Sequence, residues 1–267
     1  MAGDTFQDGY AYEAHIGRWS QPVAAAFLDW LGEPPGLQWL DAGCGTGELS
    51  RAALARGGAA AVVGIDPSDG FLAVAARRAG GDPRLAWQRG DVQNLPFPDG
   101  AFDVVVAGLV LNFVPDRRRM VSEMARVVRR HGTVALYVWD HGGQMQPLGH
   151  FWSAAAAVDP AAGEQDERRR FAGLCRPEPL RAMLTAAGLQ GVATRAIDVP
   201  TVFADFADFW QPLVAGVAGP ASSYCAAVGR DRRSDLRGML EQRLPQRDDG
   251  SIPLGARAWA VRGSKPS

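Results

Sequence analysis

The chemistry of this chain concentrates in one turn and two later acidic residues. The turn reads Leu40-Asp41-Ala42-Gly43-Cys44-Gly45-Thr46-Gly47: a short apolar run (37–40) meets an acidic residue and then Gly-x-Gly-x-Gly. Glycines let a backbone turn sharply and approach a ligand more closely than any side chain would allow. Spacing narrows the ligand. A dinucleotide turn of the form G-x-G-x-x-G wants its third glycine at position 48, which here is Glu48; the glycine falls at 47. Asp66 follows Gly47 by 19 residues, at the end of an apolar run, where a carboxylate can accept both hydroxyls of a ribose. Asp91 ends a further run, where a carboxylate can accept from the exocyclic amine of adenine while the N–H of Val92 donates to the ring. A close-approach turn, a ribose acceptor and an adenine acceptor are the binding needs of an adenosine without a polyphosphate.

These residues need elements that bring them to one place. Apolar runs at 37–40, 60–65, 85–88, 102–106 and 133–139 predict strands, and helix-spaced segments at 48–56, 69–79 and 117–130 fall between them. Such alternation implies right-handed βαβ units and a parallel sheet covered on both faces. Helical spacing over 10–32 ends at Gly32 before Pro34-Pro35, a strong stop. Beyond residue 140 the pattern is less regular. Helical material is expected at 151–158, 165–171, after Pro177 to Gly188, and over 203–245 with a Gly/Pro-rich break at 216–220; strands are expected at 192–199 and 252–261.

Composition removes whole classes of chemistry. Of 28 basic residues only one is lysine, Lys265 in the polar C-terminal tail, and such tails are rarely ordered. P-loop, Schiff-base and pyridoxal-phosphate chemistries, which need a lysine in a site, are therefore excluded. The arginine clusters 117–119 and 168–170 have Asp116, Glu123, Glu164, Asp166 and Glu167 close by, and read as solvated helix faces. A net charge of −1 gives no general attraction for nucleic acid or anionic membrane. Cys44, Cys175 and Cys225 are too widely spaced for a zinc site or a disulfide framework, so no metal and a reducing, cytoplasmic setting are expected. The N-terminus MAGDTFQDGY is unlike a signal peptide, and no apolar run approaches the roughly 20 residues of a membrane span.

The turn, Asp66, Gly90-Asp91 and the stretch Leu95-Pro96-Phe97-Pro98-Asp99-Gly100-Ala101-Phe102-Asp103 together resemble class I S-adenosylmethionine-dependent methyltransferases. Within them, the chain looks like the ubiquinone/menaquinone-biosynthesis-type and small-molecule branch, over residues 10–140. The resemblance implies an α/β fold: a doubly wound, seven-stranded, mostly parallel sheet of Rossmann-like type, last strand antiparallel, with a helical lid. It implies S-adenosyl-L-methionine as co-substrate. Gly43, Gly45 and Gly47 would cradle its methionine and ribose parts with Asp41 near the amino end, Asp66 and Pro67 would stand at the ribose, and Asp91 and Val92 at the adenine. Gly108 and Leu109 would line the methyl-donor side, while Tyr12 and Arg18 would reach the cofactor from a leader, Arg18 by a fork to the carboxylate. Relatives often carry His or Gln where this chain has Asn112, which receives no role. Asp103 reads as a structural residue.

The acceptor side is less marked. Ligands of open α/β sheets sit beyond the carboxyl ends of the strands, so His141, just after the fifth strand in Trp139-Asp140-His141, is the candidate general base, with a solvent-facing loop histidine as the other reading. Tyr10, Tyr12, Trp19, Phe151, Trp152, Trp210 and Tyr224 are candidates for an aromatic pocket over a flat substrate. The expected organisation is an N-terminal helical lid segment at 1–35, a cofactor core at 36–140, acceptor-binding helical insertions with a later core helix and strand at 141–250, and a last strand and polar tail at 251–267. The expected function is methyl transfer by in-line displacement to an O, N or C nucleophile of a small aromatic or apolar metabolite, in secondary metabolism, by a monomer or homodimer with no nucleic acid partner. An NAD(P)-dependent oxidoreductase and a non-catalytic cofactor-binding module are the alternatives.

Overall fold

Apolar, β-branched segments separated by amphipathic helices close into one sheet. The computed structural model describes residues 17–171, 173–215 and 219–267. Seven strands, β1 (Gln38–Ala42), β2 (Ala61–Asp66), β3 (Leu85–Arg89), β4 (Phe102–Gly108), β5 (Val128–Trp139), β6 (Gln190–Phe203) and β7 (Ile252–Ser264), stand in the order β3-β2-β1-β4-β5-β7-β6. β1 pairs in parallel with both β2 and β4, β2 with β3, and β4 with β5. The direction of β7 follows from bonds at the two ends of β5: His131 N donates to Lys265 O, and Asp140 N to Arg257 O. As β5 ascends β7 descends, so β7 is antiparallel, as expected. The central strands are hydrophobic throughout, with Val104 to Val106 and Val134 to Leu136 wholly buried, because helices cover both faces.

The chain divides into two units. The sheet-bearing unit comprises residues 20–138, 176–197 and 258–267; among its helices are α1 (Ser20–Leu31), α2 (Glu48–Ala55), α3 (Asp69–Ala79) and α4 (Arg117–Val127). Within the expected lid segment 1–35, helix α1 belongs to the sheet-bearing unit: one face (Val23, Ala24, Phe27, Leu28, Leu31) is buried and Phe27 packs on Tyr137 with ring centroids 4.7 Å apart. Residues 10–16 of the expected helix lie outside the described residues.

The helix expected over 117–130 stops at Val127, and β5 begins at Val128 rather than at residue 133. His131 takes φ +62°, and a Cβ on Gly132 would stand 2.5 Å from Asp103 O. This bend shifts the register between β4 and β5 at Phe102/Val104, and a kinked strand start mimics a helix end in sequence. The tail is a second correction. Lys265 is ordered: its N–H bonds to Gly132 O, and its ammonium donates to Arg126 O at 2.9 Å and Val128 O at 2.8 Å.

The helical unit comprises residues 139–175 and 198–257, with Gly17–Trp19 as a 3-10 turn. It holds α5 (Gln146–Val158), α6 (Glu167–Arg170), α8 (Phe206–Val214), α9 (Gly219–Ala227) and α10 (Arg230–Arg243); α7 (Pro177–Ala186) lies in the sheet-bearing unit. The helical material expected over 203–245, with its break at 216–220, holds three helices among the described residues, and β6 runs on to Phe203. No helix among the described residues is long and apolar enough to cross a membrane.

Candidate cofactor and acceptor sites

β1 lies between β2 and β4, yet β2 is reached by a crossover in one direction and β4 in the other. At such a reversal the loops beyond the strand ends part and leave a crevice. The glycine turn occupies that place. Gly43 N and Cys44 N both donate to Ile65 O (2.8 and 3.0 Å), which pins the turn to the end of β2.

Its three glycines do different work. All have positive φ (+78°, +53° and +79° for Gly43, Gly45 and Gly47). A Cβ on Gly43 would stand 2.6 Å from Val110 Cγ2, and one on Gly47 2.6 Å from Trp87 Cη2, so both are needed for close packing. A Cβ on Gly45 would meet nothing within 4 Å. The open side of the turn is therefore at Gly45.

Two carboxylates face the turn. Asp66 accepts from Gly45 N at 3.0 Å through Oδ2 and from Ser68 N at 2.9 Å through Oδ1. Burial raises its pKa, and the two backbone donors partly restore the charged form. Asp41 is 1% exposed; Ser50 Oγ donates to its Oδ2 at 2.6 Å, while Oδ1 is buried without a partner. Burial pushes Asp41 up to about 7, against the Ser50 hydrogen bond and with the Asp66 charge. The same environment holds the buried Cys44 thiol well above its ordinary range, so Cys44 is no nucleophile.

Asp91 is exposed, and Val92 behind it is buried. The Asp91 carboxylate is oriented by Gln93, whose N–H donates at 2.8 Å and whose side-chain amide reaches both oxygens at 3.1 Å. Gln93 also accepts from Asp116 N through Oε1 (2.9 Å), linking the β3 loop to the start of α4. Pro67 is exposed beside Asp66. At the end of β4, Gly108 leaves no room for a side chain, since a Cβ would stand 2.5 Å from the Tyr137 hydroxyl. Leu109 takes φ +60°, a left-handed conformation held by its N–H bond to Tyr137 O at 2.9 Å. Strain of this kind in a branched residue persists where a site fixes it. Asp103 is structural as expected: it accepts from Gln38 N at 2.7 Å and pairs with Arg129.

Sequence reasoning missed Ser50, Gln93 and Trp87. Only Trp87 left a signal. Gly64 interrupts an otherwise apolar strand, and a Cβ there would sit 2.6 Å from the Trp87 ring.

In the helical unit, Asp140 accepts from Gln144 N at 3.1 Å. His141 is not a solvent-facing loop residue. It is 6% exposed, lies 5.2 Å from the Phe171 ring, and is held down at about 4, chiefly by burial and then by the Arg170 charge. Arg18, expected at the cofactor carboxylate, pairs with Asp208 through Nη1 at 2.8 Å. Trp19 and Phe151 line an apolar pocket with Leu148, Phe203, Phe209 and Leu213. Trp152 and Tyr224 pack on each other at 5.8 Å, with Trp152 bonded to Glu167, and Trp210 stacks on Phe206 at 6.1 Å. Tyr10 and Tyr12 lie outside the described residues.

Residues 40–136, which contain the turn, Asp66, Asp91 and Leu109, match the family described as "Methyltransferase domain". The likeness to that domain covers 97 of the chain's 267 residues, 40 to 136. Its curated relatives include a malonyl-[acyl-carrier protein] O-methyltransferase of Serratia marcescens, 37% identical over 118 residues, 44% of each chain. A demethylmenaquinone methyltransferase of Bacillus licheniformis is 38% identical over 102 residues, 38% of this chain and 44% of the relative. The chain spans about half the length of the curated relatives it matches. In fold, the chain resembles the Haemonchus contortus phosphoethanolamine N-methyltransferase 2 bound to phosphomonomethylethanolamine and S-adenosylhomocysteine. The TM-score is 0.61 at 19% identity, covering 97% of this chain and 57% of that one.

Proposed function

We propose that the protein is an S-adenosyl-L-methionine-dependent methyltransferase acting on a small, apolar acceptor. The observation that carries the reading is the glycine turn: packed shut at Gly43 and Gly47, open at Gly45, and bonded at Gly45 N by Asp66. These residues fit an adenosyl sulfonium compound. Backbone can approach the ligand at Gly45, Asp66 has lone pairs left for ribose hydroxyls, and a ligand carrying positive charge would favour the ionised form of the buried Asp41. Asp91 and Val92 would hold the adenine, and Gly108 and Leu109 the methyl-donor side. Tyr12 is retained as a cofactor contact on the resemblance alone.

When bound, the cofactor supplies an electrophilic methyl group. The chain's part is to bind, orient and exclude water, and positioning of two reactants can contribute about 7–11 kcal/mol. We assign His141 no obligatory proton transfer. With a pKa near 4 it is neutral at physiological pH, but it holds a proton too weakly to be an effective base there. The relatives' names, which specify quinone-type and acyl-carrier-bound substrates, support an apolar metabolite as acceptor.

The test is transfer of a labelled methyl group from S-adenosylmethionine to a panel of quinols, phenols, indoles and amines. Transfer to at least one member is expected, with His141→Gln turning over within about threefold of wild type. No cofactor affinity in calorimetry sinks the reading. A loss above a hundredfold in His141→Gln, with a shifted pH–rate profile, restores that residue as the base.

A further inference from the structure

We infer that Gln93 is a positioning residue for the base: it aims the Asp91 carboxylate at the exocyclic amine of a 6-aminopurine and so sets the preference for that amine. The role presupposes the methyltransferase reading above, and every residue that builds it belongs to the sheet-bearing unit.

An amide side chain has one accepting and one donating end, and here its neighbours decide which end points where. Asp116 N can only donate, and it stands 2.9 Å from Oε1 of Gln93. That leaves Nε2 toward Asp91, 3.1 Å from each carboxylate oxygen. The backbone N–H of Gln93 adds a further bond, 2.8 Å to Oδ1. A carboxylate accepts at about four lone-pair sites. Oδ1 meets two donors and Oδ2 one, so among the described residues a single acceptor site stays open, on Oδ2.

One open acceptor suits one N–H, which the exocyclic amine of adenine supplies. A purine with hydrogen in that place leaves the acceptor unmade, and a 6-oxopurine presents lone pairs to it. To discriminate, the carboxylate has to keep still. Asp91 is exposed, and an unrestrained carboxylate there would lose rotamer freedom on meeting the ligand.

Gln93 is itself held from α4. Arg119 Nε donates to its carbonyl at 3.1 Å, and Asp116 Oδ1 accepts from Arg119 N at 2.9 Å, which closes a ring of bonds through Asp116 N. Two residues on, Leu95 N donates to the buried Glu123 at 2.9 Å, and Leu95 O accepts from Arg126 Nη2 at 2.9 Å. The loop after β3 is thus pinned to α4 on both sides of Asn94, and Gln93 carries that rigidity to the carboxylate.

The test is calorimetric affinity for S-adenosylhomocysteine and for the same compound with hydrogen in place of the exocyclic amine. Wild type is expected to prefer the amine about tenfold, the size of one charge-assisted hydrogen bond. In Gln93→Ala that ratio should fall about fivefold, the size of one side chain's ordering cost, with the amine-free compound held within about twofold of its wild-type affinity. Gln93→Glu keeps the shape and an acceptor for Asp116 N but turns a like charge on Asp91, so the ratio should fall at least as far. A ratio unmoved in both variants, equal losses for both compounds, or a wild type with no preference overturns the inference. Wild type that binds neither compound removes the methyltransferase reading and this role with it, whereas binding with an unmoved ratio removes the role alone.

Discussion

The backbone N–H of Gly45 donates to Asp66 Oδ2 at 3.0 Å, so the open glycine of the turn is fixed by the carboxylate at the end of the neighbouring strand. One side chain thereby shapes the turn and is left with lone pairs for a ligand. Removing it affects both roles.

Asp66→Ala should lower S-adenosylmethionine affinity by about a hundredfold or more, from two lost charge-assisted hydrogen bonds at about 1.5 kcal/mol each. Isothermal calorimetry reads this directly. An unchanged affinity would falsify the assignment of the ribose acceptor.

The turn's glycines predict opposite phenotypes. Gly47→Ala meets both a positive φ and the Trp87 ring, and is expected to cost about 2–4 kcal/mol in urea unfolding. Gly45→Ala meets only the backbone penalty, about 1–2 kcal/mol, but places a methyl on the open side. It should lose cofactor affinity out of proportion to stability. If the two variants behave alike, the turn has no distinguishable ligand side.

Asp41 makes stability pH-dependent with a definite sign. Its folded pKa, about 7, lies above that of an unfolded carboxyl, so the native state holds an extra proton between about pH 4 and 7 and loses stability as pH rises through that window. His141, held down at about 4, acts oppositely: its contribution is lost as pH falls from about 6.5 through 4. Comparing wild type with Asp41→Asn at pH 4.5 and 8 isolates the first effect. Relative to the variant, wild type should lose on the order of 3 kcal/mol, and parallel curves would refute the buried, protonated carboxyl.

Lys265 ties the chain's last strand to β5. Lys265→Met removes two charged hydrogen bonds to carbonyls in a half-exposed setting, for an expected loss of about 1–3 kcal/mol. Thermal unfolding with no change in midpoint would return it to the status of a loose tail.

Much of the cofactor side was legible in the residues. Gly-x-Gly-x-Gly, Asp66 and Asp91 are separated by whole strand–helix units, and a parallel sheet has to bring successive strand ends to one edge. The acceptor side was not legible, because helix-spaced aromatics look the same in a core and in a pocket. Trp152 and Trp210 went to packing while Trp19 and Phe151 line the pocket. Arg18 pairs with a residue 190 positions away, a contact no local pattern encodes.

The sequence by itself determined the sheet, the turn and the kind of ligand the turn suits, since these rest on short-range spacing and on the limited geometry of βαβ units. Tertiary structure alone decided three things. Asp41 shares its burial with Ser50, His141 is buried against Phe171, and the one lysine is ordered on two carbonyls. The reason is common to all three: solvent exclusion and long-range partners set the charge and orientation of a side chain, and neither is written in the residues beside it.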